Sequence, residues 1–390
     1  MICFLAGKRL MVNKSMERGN ETMKKVLFVS HIANFAKFNK PFMKWFKAHG
    51  YEVHYASTGE ETIDCDKEYK VSFSRSPFRL CNIKAYKDLK KIMLEEKYDL
   101  VHCHTPMGGV IARLAAKATN TEPVIYTAHG FHFYKGASVI NTIIYKNVEK
   151  WLAHYTDALV TINSEDYHSA KKFKLKSDGK VYQIPGIGVD FKAIEDVKVD
   201  KEIKTKEMAI PLDSYIVLMV AEFTKNKNHK TALKAFKKAN ISNSVLLLCG
   251  SGAYEGTIKE LVKEMQLENK VFFLGYRKDI SEIVNIADVF LFPSFREGLS
   301  VSVMEAMAAG LPVICSNVRG NLDLIDEHGG FLCNPMDHDK FSTYLTYLAN
   351  DKELSRKMGA YNREKAKNYT IDAAVENMAE IYRICLKGDL

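Results

Sequence analysis

The sequence predicts an α/β protein made of two doubly wound parallel-sheet domains that face each other across a cleft. Short β-branched runs alternate with longer amphipathic stretches from residue 25 onward, and the rhythm restarts after a segment rich in charge, proline and glycine. A chain of 390 residues also exceeds what one hydrophobic core usually holds, so two domains of somewhat under about 200 residues are expected. The polar and glycine-bearing motifs fall mostly just after strands, where open parallel sheets bind their ligands.

The first unit reads VLFVS, a helical PFMKWFKAHG, EVHYAS, KAYKDLKKIMLEEK, DLVHCH, GGVIARLAAKA and PVIYTAHG. Strand, helix, strand in this order demands right-handed crossovers and hence parallel strands. The second reads SYIVLMVAE, HKTALKAFKKA, SVLLLCGSG, GTIKELVKEMQL, KVFFLG, ISEIVNIA, DVFLFPS, a helix from about Leu299 to Ala309, and LPVICS. The intervening IPGIGVDFKAIEDVKVDKEIKTKEMAIPLD is the expected linker, which sets the domains at 23–195 and 196–370. Residues 1–22 read as a loose extension or an upstream start, because Met23 opens a natural first strand.

Composition narrows the functional classes. Hydrophobic residues at 47% and charged residues at 26% describe a soluble globular chain, and no run reaches the ~18 apolar residues of a membrane span. The eight cysteines contain no C-x-x-C pair and read as buried thiols of a reducing cytosol. Residues 1–200 carry 31 Lys+Arg against 22 Asp+Glu, whereas residues 201–390 carry 25 against 25. The excess positive charge therefore sits in the first half. A solvated surface accounts for it, as does attraction to an anionic membrane surface or a diphosphate-bearing acceptor. Nucleic acid is not expected, since no recognised binding motif accompanies the basic residues.

Four stretches carry chemistry. FREGLSVSVMEAMAAGLPVI places Glu297 before a helix and Glu305 inside it, with seven residues between them. They could be an acid/base pair, metal ligands, or hydroxyl acceptors at the ends of one long polar ligand. A helical rise of about 1.5 Å per residue disfavours a shared proton. The helix start near Gly298, Leu299 and Ser300 offers unpaired N–H groups and a positive dipole end to a phosphate. In MVAEFTKNKNHKTALKAF, Lys225, Lys227 and Lys230 crowd a strand-to-helix loop, a common place for a diphosphate-binding ammonium. CGSGAYEG, with Gly252, is a relaxed G-x-G turn that permits close backbone approach. YTAHGFHFYKG puts His129 at a strand's carboxyl end beside Gly130, a position suited to contacting a sugar hydroxyl or a transition state. The HCH triplet, His102 to His104, sends two histidines to one strand face without a third or fourth ligand, so no metal is expected there.

FREGLSVSVMEAMAAGLPVI resembles the E-x7-E signature of retaining glycosyltransferases of the family-four, group 1 type, which have the two-Rossmann GT-B fold. DLVHCHTP, YTAHGFHF, NKNHKTALKAF, LLLCGSG and LGYRKDISEIVNIADVFLFPS follow in that family's order. HTPMGG, TAHGFHFYKGA and VEKWLAHYTDALVTIN look especially like exopolysaccharide and capsule glycosyltransferases of the EpsD type. The resemblance implies that Glu297 contacts donor-sugar hydroxyls and Glu305 the ribose. It implies that amides at Leu299 and Ser300 hold the distal phosphate, that Lys227 neutralises the diphosphate, and that the turn Gly275, Tyr276 and Arg277 receives the base through backbone atoms. His129 would sit near the reacting carbon, and a C-terminal helix over 371–390 would cross back onto the first domain. Two departures stand out: Glu222 replaces the family arginine of a G-R-x4-K pattern, leaving Lys225 or Arg296 as the second cation, and SHIANFAK replaces paired glycines after the first strand.

The expectation is a cytoplasmic retaining glycosyltransferase, peripheral at the inner face of the cell membrane. It would move a sugar from a nucleotide-diphosphate donor, UDP-linked, to a lipid-linked saccharide without metal or cofactor, within a polysaccharide assembly complex. A UDP-N-acetylhexosamine epimerase of the same architecture and an inactive nucleotide-binding scaffold are the alternatives.

Overall fold

The computed structural model describes residues 23–61 and 63–388. The expectation for residues 1–22 lies outside them. Thirteen strands form two all-parallel sheets. The first is built from β1 (Lys25–Val29), β2 (Glu52–Ser57), β3 (Lys67–Lys70), β4 (Leu100–His104), β5 (Val124–Ala128), β6 (Ala158–Thr161) and β7 (Lys180–Gln183), in the order 3-2-1-4-5-6-7. The second contains β8 (Tyr215–Val220), β9 (Ser244–Cys249), β10 (Val271–Gly275), β11 (Val289–Phe292), β12 (Val313–Ser316) and β13 (Gly330–Cys333), in the order 10-9-8-11-12-13. Each order reverses beside its first strand, between β1 and β4 and between β8 and β11. That reversal opens a crevice at the carboxyl ends of the strands.

The central strands are buried on both faces, which is why they read as continuous apolar runs. Helix Ala36–Ala48 covers one face of the first sheet with Phe42, Met43 and Phe46, while Leu89, Ile111 and Ala115 cover the other from helices Cys81–Glu96 and Pro106–Thr119. Gly108 and Gly109 let the latter helix sit close to the sheet, since a Cβ at Gly109 would lie 2.5 Å from the Tyr126 ring. Helix starts are capped as their sequences suggest: Ser138, Asn163, Asp190 and Thr370 each accept from a backbone N–H three residues on.

The crossover between domains comes earlier than the expected 195/196 boundary. Val189, Phe191 and Ile194 already pack into the second core, so the chain passes over between about Ile184 and Val189. It returns near Thr370, and helix Ile371–Cys385 buries Met378, Ile381 and Tyr382 in the first domain's core. The two crossing segments are hydrogen-bonded to each other, Val189 N to Tyr369 O at 2.8 Å and Ile371 N to Val189 O at 3.1 Å. Gly188 has φ +75°, and a Cβ there would meet the Ile371 backbone at 2.5 Å.

The HCH triplet is structural. His102 and His104 share one face of β4, and Cys103 takes the other. His102 bonds Tyr382 through Nδ1 and Thr127 through Nε2, both at 2.8 Å, which ties the C-terminal helix to the first sheet. Burial drives the His102 imidazole down to about 3 and that of His104 well below its ordinary value. Below pH about 6.5 the unfolded chain therefore binds protons that the fold refuses, and stability falls as pH drops toward 4. Each such histidine contributes a slope of about 1.4 kcal/mol per pH unit. Denaturant titrations between pH 7 and 4.5 should show this loss, and His102→Gln should lessen the slope.

Candidate functional site

The two domains meet at the carboxyl ends of both sheets, and a cavity of about 240 Å³ lies there, lined by Arg75, His129, Gly130 and His132 from the first domain and Asn226, Arg296, Glu297, Gly298 and Arg319 from the second. A larger cleft behind the second domain, around Lys201, Asn243 and Arg356, contains none of the expected site residues. Of the expected site residues, His129, Glu297 and Gly298 line the smaller, interdomain cavity.

The lysine loop resolves to one residue. After β8 the chain makes a single tight turn at Lys225–Lys227, and the next helix runs His229–Ala239, the HKTALKAFKKA stretch. Asn228, with φ +56°, anchors the turn by donating to Pro293 O (2.9 Å) and Pro335 O (2.8 Å). Lys225, Lys230 and Glu222 are exposed, whereas Lys227 is half-buried with its Nζ 2.7 Å from Glu297 Oε1 and 4.8 Å from the Phe292 ring centre. The cation expected on a diphosphate and the carboxylate expected on a sugar thus neutralise each other in this structure. Asn226 completes the junction by donating to Arg296 O at 2.9 Å.

The helix of the E-x7-E stretch runs Val301–Ala308, two residues later than expected. Ser300 is its N-cap, accepting from Val303 N, so the free N–H groups of the first turn begin at Val301 and Leu299 precedes the helix. Glu305 projects from this helix with no salt bridge to any described residue, and burial pushes its carboxyl up to about 7. Gly298 touches the opposite domain: a Cβ there would lie 2.1 Å from His129 O.

His129 follows β5. Its Nε2 lies 3.1 Å from His104 Nδ1, and its ring packs edge-on to Phe35 at 4.8 Å. Phe35 belongs to SHIANFAK, so the loop after β1 presses an aromatic ring against His129. Burial lowers the His129 imidazole to about 4, leaving it neutral at pH 7 as a hydrogen-bonding group.

Other expected contacts divide. Tyr276 is exposed after Gly275, whose φ of +67° makes the turn. The Arg277 guanidinium is committed to Asp279 (2.8 Å from Nε) and Glu207 (3.2 Å), leaving the backbone of the turn for any base. Gly252 admits the backbone of Phe223, whose O would lie 2.6 Å from a Cβ, so its smallness serves the packing of two loops.

Sequence reasoning missed Arg319. It is 5% exposed and spans the domains, donating to Asp166 Oδ1 (2.6 Å), Phe131 O (2.6 Å) and Glu297 O (3.2 Å). Asp323 adds a second tie by accepting from Ser164 N at 2.9 Å. An arginine before glycine just past β12, in SNVRGN, repeats the strand-end placement of His129-Gly130, and that was the available signal. No cluster of three or more potential metal ligands occurs among the described residues.

Comparison with known proteins agrees with this architecture. The pattern of Glycosyl transferases group 1 matches residues 200–365, and that of Glycosyl transferase 4-like matches residues 25–163. EpsD of Bacillus subtilis (strain 168), named as a glycosyltransferase, is 39% identical over 374 residues, covering 94% of this chain and 98% of that protein. The Escherichia coli UDP-Gal:alpha-D-GlcNAc-diphosphoundecaprenol alpha-1,3-galactosyltransferase is 30% identical, covering 78% of this chain and 81% of that one. In fold, Anabaena HepE in complex with UDP and glucose superposes with a TM-score of 0.76 at 16% identity, covering 93% of this chain and all of that one (100%). The fold is GT-B, and the chain belongs to the group 1 glycosyltransferases.

Proposed function

We propose that this glycosyltransferase transfers a sugar, with retention of configuration, from a UDP-sugar to a lipid-linked saccharide during exopolysaccharide or capsule assembly at the inner face of the membrane. The observation that carries the reading is the interdomain cavity, which His129 lines from the first domain and Glu297, bonded to Lys227 and close before helix Val301–Ala308, lines from the second. The donor's diphosphate is assigned to the helix start and the Lys227 ammonium, with Arg296 among the cations that line the cavity. Glu297, released from Lys227 by the incoming phosphates, is then free to accept from sugar hydroxyls, and Glu305 from the ribose.

In the proposed reaction the bond between the anomeric carbon and the phosphate oxygen breaks while the acceptor oxygen attacks from the same face. The acceptor's proton passes to the departing phosphate oxygen. His129, neutral, holds a sugar hydroxyl near the reacting carbon. Cationic side chains and backbone N–H groups supply the charge stabilisation, so transfer is expected to persist in EDTA. The relatives support the acceptor class: the Escherichia coli enzyme is named for a diphosphoundecaprenol-linked substrate. HepE, solved with UDP and glucose, supports the donor class.

Thermal-shift screening of UDP- and GDP-sugars, followed by transfer assays with the stabilising donor, tests the reading. Stabilisation without transfer to any prenyl-linked saccharide would return the epimerase or the scaffold. Glu305 makes a sharper prediction: donor affinity should rise as pH climbs through about 7, where its carboxyl ionises. Glu305→Gln should flatten that dependence, whereas His129→Ala should chiefly lower kcat.

A further inference from the structure

Helix Val139–Ala153 is set with its apolar side outward. Ile140, Ile143, Ile144, Val148 and Trp151 form one continuous solvent-facing arc, with Ile140 70% and Trp151 50% exposed. Its single acidic residue points inward. Glu149 is buried and receives a hydrogen bond of 2.9 Å from Arg113, whose guanidinium lies 3.9 Å from the Tyr126 ring centre and is wholly buried. Turning the helix to hide its isoleucines would strand that arginine without its carboxylate, so the ion pair fixes the outward setting.

A second apolar projection stands on the same domain. Phe78 is 92% and Leu80 80% exposed, in a stretch that carries Arg75, Arg79, Lys84 and Lys87 and no acidic residue between 71 and 87. Each feature is linked to the interdomain cavity by one lining residue. Arg75 lines it, and so does His132, whose ring lies 4.8 Å from that of Tyr145 on the helix.

We infer that these two features, helix Val139–Ala153 and the Phe78–Leu80 projection, form the surface by which the first domain docks on an anionic bilayer. Exposed isoleucines with a tryptophan match the acyl and headgroup boundary, and the interspersed lysines and arginines match its charge. A second copy of the chain would set like charges together across the same contact. Docked in this way, the cavity mouth lies at the headgroup level, where a membrane-held acceptor meets Arg75 before reaching His129. That purpose rests on the lipid-linked acceptor proposed above; the binding itself does not.

The test uses the full chain with vesicles of phosphatidylglycerol and phosphatidylcholine, against vesicles of phosphatidylcholine alone. The protein should co-float with the anionic vesicles and release at about 0.5 M salt. In Trp45→Phe protein, where Trp151 is the remaining tryptophan, emission should shift to the blue on binding. Ile140→Glu/Ile144→Glu should lower the bound fraction about tenfold, with the melting temperature and transfer to a short water-soluble acceptor unchanged. No binding by the wild type, equal binding by the double variant, or a wild-type dimer that the double variant dissociates would each overturn the inference. Vesicle binding without any sugar transfer would sustain the docking surface and remove the reading of function. Transfer without vesicle binding would do the reverse.

Discussion

Replacing Lys227 by methionine is expected to lower kcat/KM for sugar transfer by about two to three orders of magnitude, the usual cost of deleting one preorganised group that meets developing charge. The geometry gives the reason. Lys227 is the loop cation bonded to Glu297, which lines the cavity, whereas Lys225 and Lys230 are exposed. The substitution also leaves Glu297 buried without its cation, so donor binding should weaken together with turnover. Glu297→Gln should cost turnover more than nucleotide affinity, because its carboxylate is assigned to the sugar. Equal losses for UDP and for the intact UDP-sugar in both variants would contradict that division. Steady-state kinetics and calorimetric titration with UDP separate the two.

Arg319→Leu is expected to weaken the contact between domains by about 3–5 kcal/mol, the range for breaking a buried ion pair on one side. Arg319 and Asp166 are both almost fully buried, and burial already pushes the Asp166 carboxyl up against the lowering influence of Arg319. Without the guanidinium, the Asp166 carboxyl should rise further, and Phe131 O and Glu297 O lose a donor. Small-angle scattering should report a more open particle, and transfer should fall even though Arg319 is not assigned to the substrate. Asp166→Asn/Arg319→Leu should recover part of the closure; no recovery would mean that Arg319 acts through its carbonyl contacts instead.

Much of this site was legible because its parts stand at strand ends in a period that the sequence displays. His129, Lys227, Glu297 and Glu305 are the candidates that this placement and one family signature single out. The partnership of Lys227 with Glu297 was not readable, since it joins residues on different loops through three-dimensional proximity. Arg319 escaped for a related reason: its value lies in reaching Asp166 in the other domain. In the fold, β3, β6, β7 and β13 went unseen. They are four-residue strands at or near sheet edges, and KEYK and KVYQ carry terminal lysines or other polar residues with no continuous apolar run. Edge strands are blunted in this way, which erases the signal that central strands give. Ser300 moved the helix start because a capping side chain competes with the helix for the same N–H groups.

The double passage between domains has a mechanical meaning. Two tethers, at Val189 and Thr370, are bonded side by side, and Gly188 lets them lie in contact. A single strand would let the halves tumble about a universal joint. Two pins set close together act as a door hinge, with one axis and one direction of swing. Each opening then returns Gly298 to the same point beside His129, and Gly188→Ala, by wedging the hinge, would be felt at a reaction centre it never touches.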